Sequence, residues 1–455
     1  MPPGVLDRFL SSMAPPQPRS DAQHANRTRL SCGRQGVAIV PSQRLRVTYL
    51  VETPLSLAEA AEAIAGEQSS GTFVRVPGET AQLVERARAR VESITPLEPA
   101  SAPSLPGAQP LGGSYERGEV VISFPLGNVG TNLPLMLTTM MGNLFELQQL
   151  SGIRMVDFDP PPELGEGFAG PQFGIAGTRR LAGVEDRAFI GTIVKPSVGL
   201  SPEQTAELVR ELAVGGVDFI KDDELQANAP HSPFEDRVRA VTRVLEEHAD
   251  RTGKRVMYAF NVTDQLEAMY RHHDRVHELG GTCVMVSLNS VGPVAAKAFR
   301  DHAQLPIHGH RNGWGMLTRH PALGMSFTVY QKIWRMIGVD HLHVNGLGNK
   351  FWEPDDSVLE SIHACRTPLL GGLPVLPVIS SGQTVWQVHR TYASTKSVDL
   401  MFLAGGGIMA HPGGPAAGVT AIRQAWEAAL MDVPIEQHAK QHPELEIAMT
   451  TFRPA

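Results

Sequence analysis

A unit repeated through the second part of the chain constrains the fold more than anything else: a short apolar strand, a few polar or glycine residues, then an amphipathic helix. Strands are expected at residues 189–194, 217–220, 256–260, 283–288, 305–307, 341–343, 373–379 and 400–403. Eight such units over about 250 residues have the size and rhythm of a (β/α)8 barrel, an α/β fold whose site lies at the C-terminal ends of the strands. The residues expected there are polar: Lys195, the Lys221 cluster, Asn261, Asn289, His308 with His310 and Arg311, His343, Ser380 with Ser381, and Gly405-Gly406-Gly407. One polar strand end proves little; a full ring of them argues for a site.

Ahead of the barrel the texture differs. Residues 1–43 mix Pro, Ser, Arg and Gln without apolar period and read as a flexible tail. Strands are expected at 45–51, 71–76, 120–124 and 153–158, and helices at 55–66 and 133–141, with a Pro/Ser/Gly-rich inserted loop at 97–113. This order predicts a small α+β domain over 44–160, joined through a Pro/Gly-rich linker at 160–177 to a barrel domain over 161–440, with a tail at 441–455. A net charge of −7 without a Lys/Arg run argues against a nucleic-acid partner. No apolar run approaches membrane-span length and the N-terminus lacks a signal-peptide core, so a cytoplasmic protein is expected. Cys32, Cys283 and Cys365 lie too far apart for a disulfide framework or zinc spacing and are expected to be buried thiols.

Five strand ends carry chemistry. Phe219-Ile220 turns abruptly into Lys221-Asp222-Asp223-Glu224. Asp223 and Glu224 offer the hard oxygen ligands that Mg²⁺ takes, and a lysine carbamylated by CO2 would add an anionic oxygen. The bland alternative is an acidic cap on the next helix. Lys195 sits where desolvation can lower an amine pKa enough for acid/base work, or it forms a structural ion pair with the carboxylates of the second strand. His310 and Arg311 are candidates for proton transfer and bidentate anion contact. Ser380-Ser381-Gly382 and Gly405-Gly406-Gly407 close the last two units, where barrels bind phosphate through backbone N–H groups.

These motifs together, with Lys195-Pro196, Asp218 to Glu224, His308-Gly309-His310-Arg311, His341-Leu342-His343 and the two terminal loops, closely resemble the large subunit of ribulose bisphosphate carboxylase (RuBisCO) from about Leu45 to Glu436. The resemblance implies a homodimer whose sites are completed by Glu67, Thr72 and Asn143 from the neighbouring subunit. It implies Lys221 as the carbamylated lysine beside Asp223 and Glu224 on one Mg²⁺. Lys195, His310, Arg311, His343 and Ser380 match acid/base, phosphate and substrate positions, and Lys350 matches the lysine of a mobile loop.

The departures redirect the expected function. Ser197 stands where carboxylases have a second lysine, Phe73 replaces a tryptophan, Ile193 a threonine, Ser381 a glycine and Phe351 a leucine. The metal and enolisation parts survive, while residues that shape the second phosphate site and gas addition do not. The pattern is that of a RuBisCO-like protein, not an authentic carboxylase. It is expected to apply Mg²⁺-assisted enolate chemistry to a phosphorylated keto-sugar or keto-sugar acid. Retained Lys350 and His310 tilt the expectation towards decarboxylation or transcarboxylation/hydrolysis of a 3-oxo-isoapionate 4-phosphate type substrate. The alternatives are a 5-methylthioribulose 1-phosphate isomerase or related tautomerase, and a non-catalytic binding protein.

Overall fold

The computed structural model describes residues 43–71, 76–108 and 113–453. The first part is a sheet in the order β10-β4-β1-β3-β2, with β1 (Arg44–Thr53), β2 (Arg90–Ala100), β3 (Tyr115–Pro125), β4 (Gly152–Asp159) and a late addition, β10 (Leu323–Met325). Leu45, Val47, Tyr49 and Val51 alternate onto one face of β1 and are buried. Against that face packs the helix Leu57–Glu67, started by a capping box between Ser56 and Glu59.

Several expectations need correction. The loop expected at 97–113 begins as strand, because β2 runs on to Ala100 paired with β3 through Pro96. β2 is an edge strand, where a missing proline N–H costs no interior ladder bond. The supposed linker at 160–177 holds a 3₁₀ turn, Pro162–Gly167, and the start of the helix Gly174–Ala182. The supposed tail at 441–455 contains the helix Pro443–Thr451, which buries Leu445 and Ala448 and accepts the Trp386 indole N–H on the Met449 carbonyl at 3.2 Å. β10 escaped notice because three residues with a central glycine carry no period; it pairs in parallel with β4. Residues 1–42, and the strand expected at 71–76 apart from its ends, lie outside the described residues.

The closed barrel consists of β5 (Phe189–Ile193), β6 (Phe219–Lys221), β7 (Met257–Asn261), β8 (Cys283–Ser287), β9 (Ile307–His310), β11 (His341–His343), β12 (Leu376–Ile379) and β13 (Met401–Leu403), with β13 pairing back to β5. All neighbouring strands are parallel and intervening helices cover them. Phe189, Phe219, Met257, Cys283, Leu376 and Met401 fill the interior. Period two then dictates what stands above that layer: Lys221 over Phe219, Asn261 over Ala259, and His310 and His343 over His308 and His341. The fifth strand starts later than expected, after Pro306, so both histidines of His308-Gly309-His310 lie inside it. The opposite end is closed by buried acids: Asp340 accepts the backbone N–H groups of Phe173, Gly174 and Ile307, and Asp218 pairs with Arg187 and Lys254. Cys283 and Cys365 are free and buried. Among the described residues no helix is long and apolar enough to cross a membrane.

Close approach makes one glycine irreplaceable. A Cβ on Gly191 in β5 would lie 2.4 Å from Leu403 Cδ2 and 2.9 Å from the Phe219 carbonyl oxygen, whereas one on Gly406 meets nothing within 4 Å. Gly191→Ala is expected to lose about 1–3 kcal/mol of stability, read as a fall in Tm, with Gly406→Ala as the mild control. Equal Tm values for the two variants would contradict the packing described.

Candidate active site

Lys221 ends β6 with its side chain on the barrel-interior face, fully buried. Its Nζ donates to the Asp222 carbonyl at 2.7 Å and lies 3.4 Å from Glu224 Oε2. Burial pushes the Lys221 amine below its ordinary pKa, against the opposing pull of the Glu224 and Asp223 carboxylates. Burial works to raise the Glu224 pKa, yet above all the Lys221 charge holds it down to about 2. Asp222 turns the other way and is tied to the buried Arg237 at 3.2 Å, to the Tyr258 hydroxyl and to the Asn261 N–H. The acidic run is not a helix cap: the following helix begins only at Phe234.

Lys195 reaches the same carboxylates from the neighbouring strand end. Its Nζ is 2.7 Å from Asp223 Oδ2 and 2.7 Å from Ser197 Oγ. The dry environment expected for it is absent within this chain, since the side chain is 40% exposed; the ion pair is what the structure displays. His310 places Nε2 3.5 Å from Glu224 Oε2 and holds Nδ1 against Asn312. Burial, then the Lys221 charge, lowers the His310 pKa to about 4. Lys195, Lys221, Asp223, Glu224 and His310 thus meet in one cluster.

The other rim residues form a second group. Arg311 is buried, donates to Glu353 Oε2 at 2.7 Å and lies over the Phe327 and Trp314 rings. Glu353 also accepts from Asn345 Nδ2 and from Ser357 Oγ. Asn345 in turn accepts from Ser381, whose neighbour Ser380 contacts His343 Nδ1 at 3.0 Å. Ser381 and Asn345 both adopt positive φ, 75° and 67°, strain that non-glycine residues carry where surroundings over-determine them. The Gly405–Met409 helix follows β13 directly, and Gly407 is pressed against the Gln383 carbonyl, so no side chain fits there. That contact brings the last two loops together with Gly406 facing open space. Glu353 and Asn345 are absent from the sequence reading, and only their positions just after a strand end and in the Lys350 loop hinted at them.

Some expected residues are elsewhere. Lys350 is exposed, its backbone N–H held by the Ser381 carbonyl and its ammonium 5.3 Å from the Phe351 ring centroid. Glu67 and Asn143 bond to each other at 3.4 Å in the N-terminal part, without a hydrogen bond or ion pair to the barrel cluster among the described residues. Thr72 and Phe73 lie outside the described residues.

The donor set fits a hard divalent cation on one condition. Asp223 and Glu224 are adjacent oxygen donors, the first buried, and Lys221 stands beside them, but only an uncharged or anionic Lys221 is compatible with an ion there. Burial, which favours the neutral amine, acts in that direction.

Comparison with known proteins agrees with this geometry. Residues 43–164 match the ribulose bisphosphate carboxylase large chain, N-terminal domain, and residues 174–452 the large chain, catalytic domain. The chain is 52% identical to a 3-oxo-isoapionate-4-phosphate transcarboxylase/hydrolase of Xanthobacter autotrophicus, over 90% of this chain and 100% of that one. It is 47% identical to a 3-oxo-isoapionate-4-phosphate decarboxylase of Rhizobium rhizogenes, over 90% and 98%. The crystal structure of a rubisco-like protein from Burkholderia fungorum superposes with a TM-score of 0.84 at 47% identity, over 90% and 99%.

The buried imidazoles set an acid limit. Burial lowers the His341 pKa to about 3 and that of His310 to about 4, while free histidine titrates near 6.5. A depressed folded-state pKa means the unfolded chain binds the extra proton first, so stability is fully present above about pH 6.5 and is lost as pH falls. At pH 4.5 each histidine kept neutral costs about 2–3 kcal/mol. Tm should therefore drop between pH 6.5 and 4.5, and less steeply in His341→Gln; a flat Tm across that window would refute the neutral cluster.

Proposed function

The chain belongs to the ribulose bisphosphate carboxylase large-chain family, and we propose that it is a RuBisCO-like enzyme acting on the carboxyl group of 3-oxo-isoapionate 4-phosphate. The observation that carries this is the identity of 47–52% to enzymes named for that substrate, covering them almost end to end. Transcarboxylation followed by hydrolysis is the favoured outcome, supported by the 52% relative, with simple decarboxylation second.

The chemistry of the substrate class suits the cluster. In a 3-oxo acid the bond to the carboxyl carbon breaks with its electrons moving towards the ketone, so the site must stabilise an enolate and manage a proton. Carbamylated Lys221, Asp223 and Glu224 would hold one Mg²⁺, which supplies Lewis-acid polarisation of the ketone oxygen. Lys195, exposed on one side and paired with Asp223 and Ser197 on the other, is placed to exchange a proton between substrate and solvent. His310, neutral, can accept one. The backbone N–H groups around Ser381-Gly382 and Gly405-Gly406-Gly407 would take the phosphate. Arg311 is already neutralised by Glu353, which supports a substrate with a single phosphate. Glu67, Thr72 and Asn143 would come from the second subunit of a homodimer, and Lys350 would move from Phe351 to meet the substrate's carboxylate.

Substrate labelled with ¹³C in the carboxyl group and turned over in H₂¹⁸O separates the outcomes. Transcarboxylation/hydrolysis keeps the label in an organic acid and takes up ¹⁸O; decarboxylation releases labelled CO2. Asp223→Asn should abolish either, and failure of the wild-type enzyme to consume the compound would overturn the reading.

Lys350→Met keeps the stem and deletes the charge. If the lysine meets the departing or migrating carboxylate, kcat should fall by roughly 10²-fold with little change in KM. Unchanged turnover would remove Lys350 from the mechanism.

A further inference from the structure

We propose that a one-way hydrogen-bond chain running from Glu353 to His308 holds His343 as its Nδ1–H tautomer and thereby fixes Ser380 as a hydroxyl donor to the substrate, with His308 as a positioning residue. The direction can be worked out from one end. Glu353, a carboxylate receiving Arg311, only accepts, so Asn345 must turn its amide nitrogen to it, 2.5 Å away, and its Oδ1 to the other side. Ser381 Oγ lies 2.7 Å from that Oδ1 and must spend its only hydrogen there. Across the long 3.5 Å contact between the two serines, Ser380 is then the donor. With its hydrogen turned that way Ser380 Oγ is left to accept, and at 3.0 Å the His343 Nδ1–H then donates to it. His343 Nε2 is left as a lone pair, and the contact of 2.8 Å with His308 Nε2 requires the proton on His308.

The other end decides which way the Ser380 hydrogen turns. A neutral His308 with its hydrogen on Nε2 has a bare Nδ1, and that buried atom has no partner among the described residues. The reversed chain would put an N–H there, and an orphaned buried N–H is the costlier defect. Burial keeps both imidazoles neutral, so neither escapes the choice by holding two protons. The consequence falls on Ser380: its hydrogen is held only by the 3.5 Å contact and can pass to a substrate oxygen. That the oxygen belongs to a carboxyl-bearing sugar phosphate rests on the function proposed above; the polarity of the chain does not.

Neutron diffraction from deuterium-exchanged crystals of the wild-type protein reads the tautomers directly. Deuterium is expected on His343 Nδ1 and His308 Nε2, and deuterium on His343 Nε2 or His308 Nδ1 would overturn the proposal. Kinetics test the consequence. His308→Met removes the donor and should lower kcat roughly tenfold, the worth of one hydrogen bond, with KM nearly unchanged. His308→Gln restores an N–H and should recover most of the loss. Equal activity of the Met and Gln variants, both with wild-type Tm, would show that His308 only fills space. Because the neutron result needs no substrate, a correct deuterium pattern beside a failed turnover assay would count against the substrate reading alone.

Discussion

The burial of Lys221 is the constraint on which the site depends. Period two along β6 places its side chain directly above Phe219, inside the barrel, where a charged amine is costly unless anions compensate. Asp223 and Glu224 supply the compensation, and the Asp223 charge is in turn shared with Lys195, while the neutral His310 ring lies 3.5 Å from Glu224. A stability-driven core would place an apolar residue at Lys221, as it does at Phe219.

The barrel and the cluster were legible because both are written in local terms. Strand ends mark the mouth, and four chemically loaded residues within Lys221-Asp222-Asp223-Glu224 announce themselves without a partner. The sequence analysis named Asp223 and Glu224 in that run, and the coordinates add why Asp222 stands apart. Asp222 and Asp223 are indistinguishable in sequence, and only the backbone turn after β6 sends one to Arg237 and Tyr258 and the other to Lys195.

What stayed hidden is long-range or lacks period. Glu353 meets Arg311 from 42 residues away, and nothing in either neighbourhood announces the pair. The Pro443–Thr451 helix looked like a tail because it offers only two fully buried positions, Leu445 and Ala448. β9 was truncated for a different reason: His308 and His310 were read as the polar end of a strand, whereas both are members of it, His308 fully buried. A histidine stripe at period two is a strand signal that apolar counting discards.

Charge balance at the mouth connects the resting arrangement to the proposed active one. With the Lys221 amine protonated, Lys195, Lys221 and Arg311 bring three positive charges, and Asp223, Glu224 and Glu353 three negative, while His310 is neutral. The mouth as it stands is therefore neutral and offers no surplus field to attract a cation. Addition of CO2 to the Lys221 amine, with its protons released to solvent, would turn one positive charge into a negative one and leave the mouth two units negative. A divalent cation restores the balance. In this reading the buried lysine makes metal binding conditional on the carbamate, and Glu353 matters to it as well as to Arg311. Without that carboxylate the mouth would keep an extra positive charge, better suited to a second phosphate than to Mg²⁺.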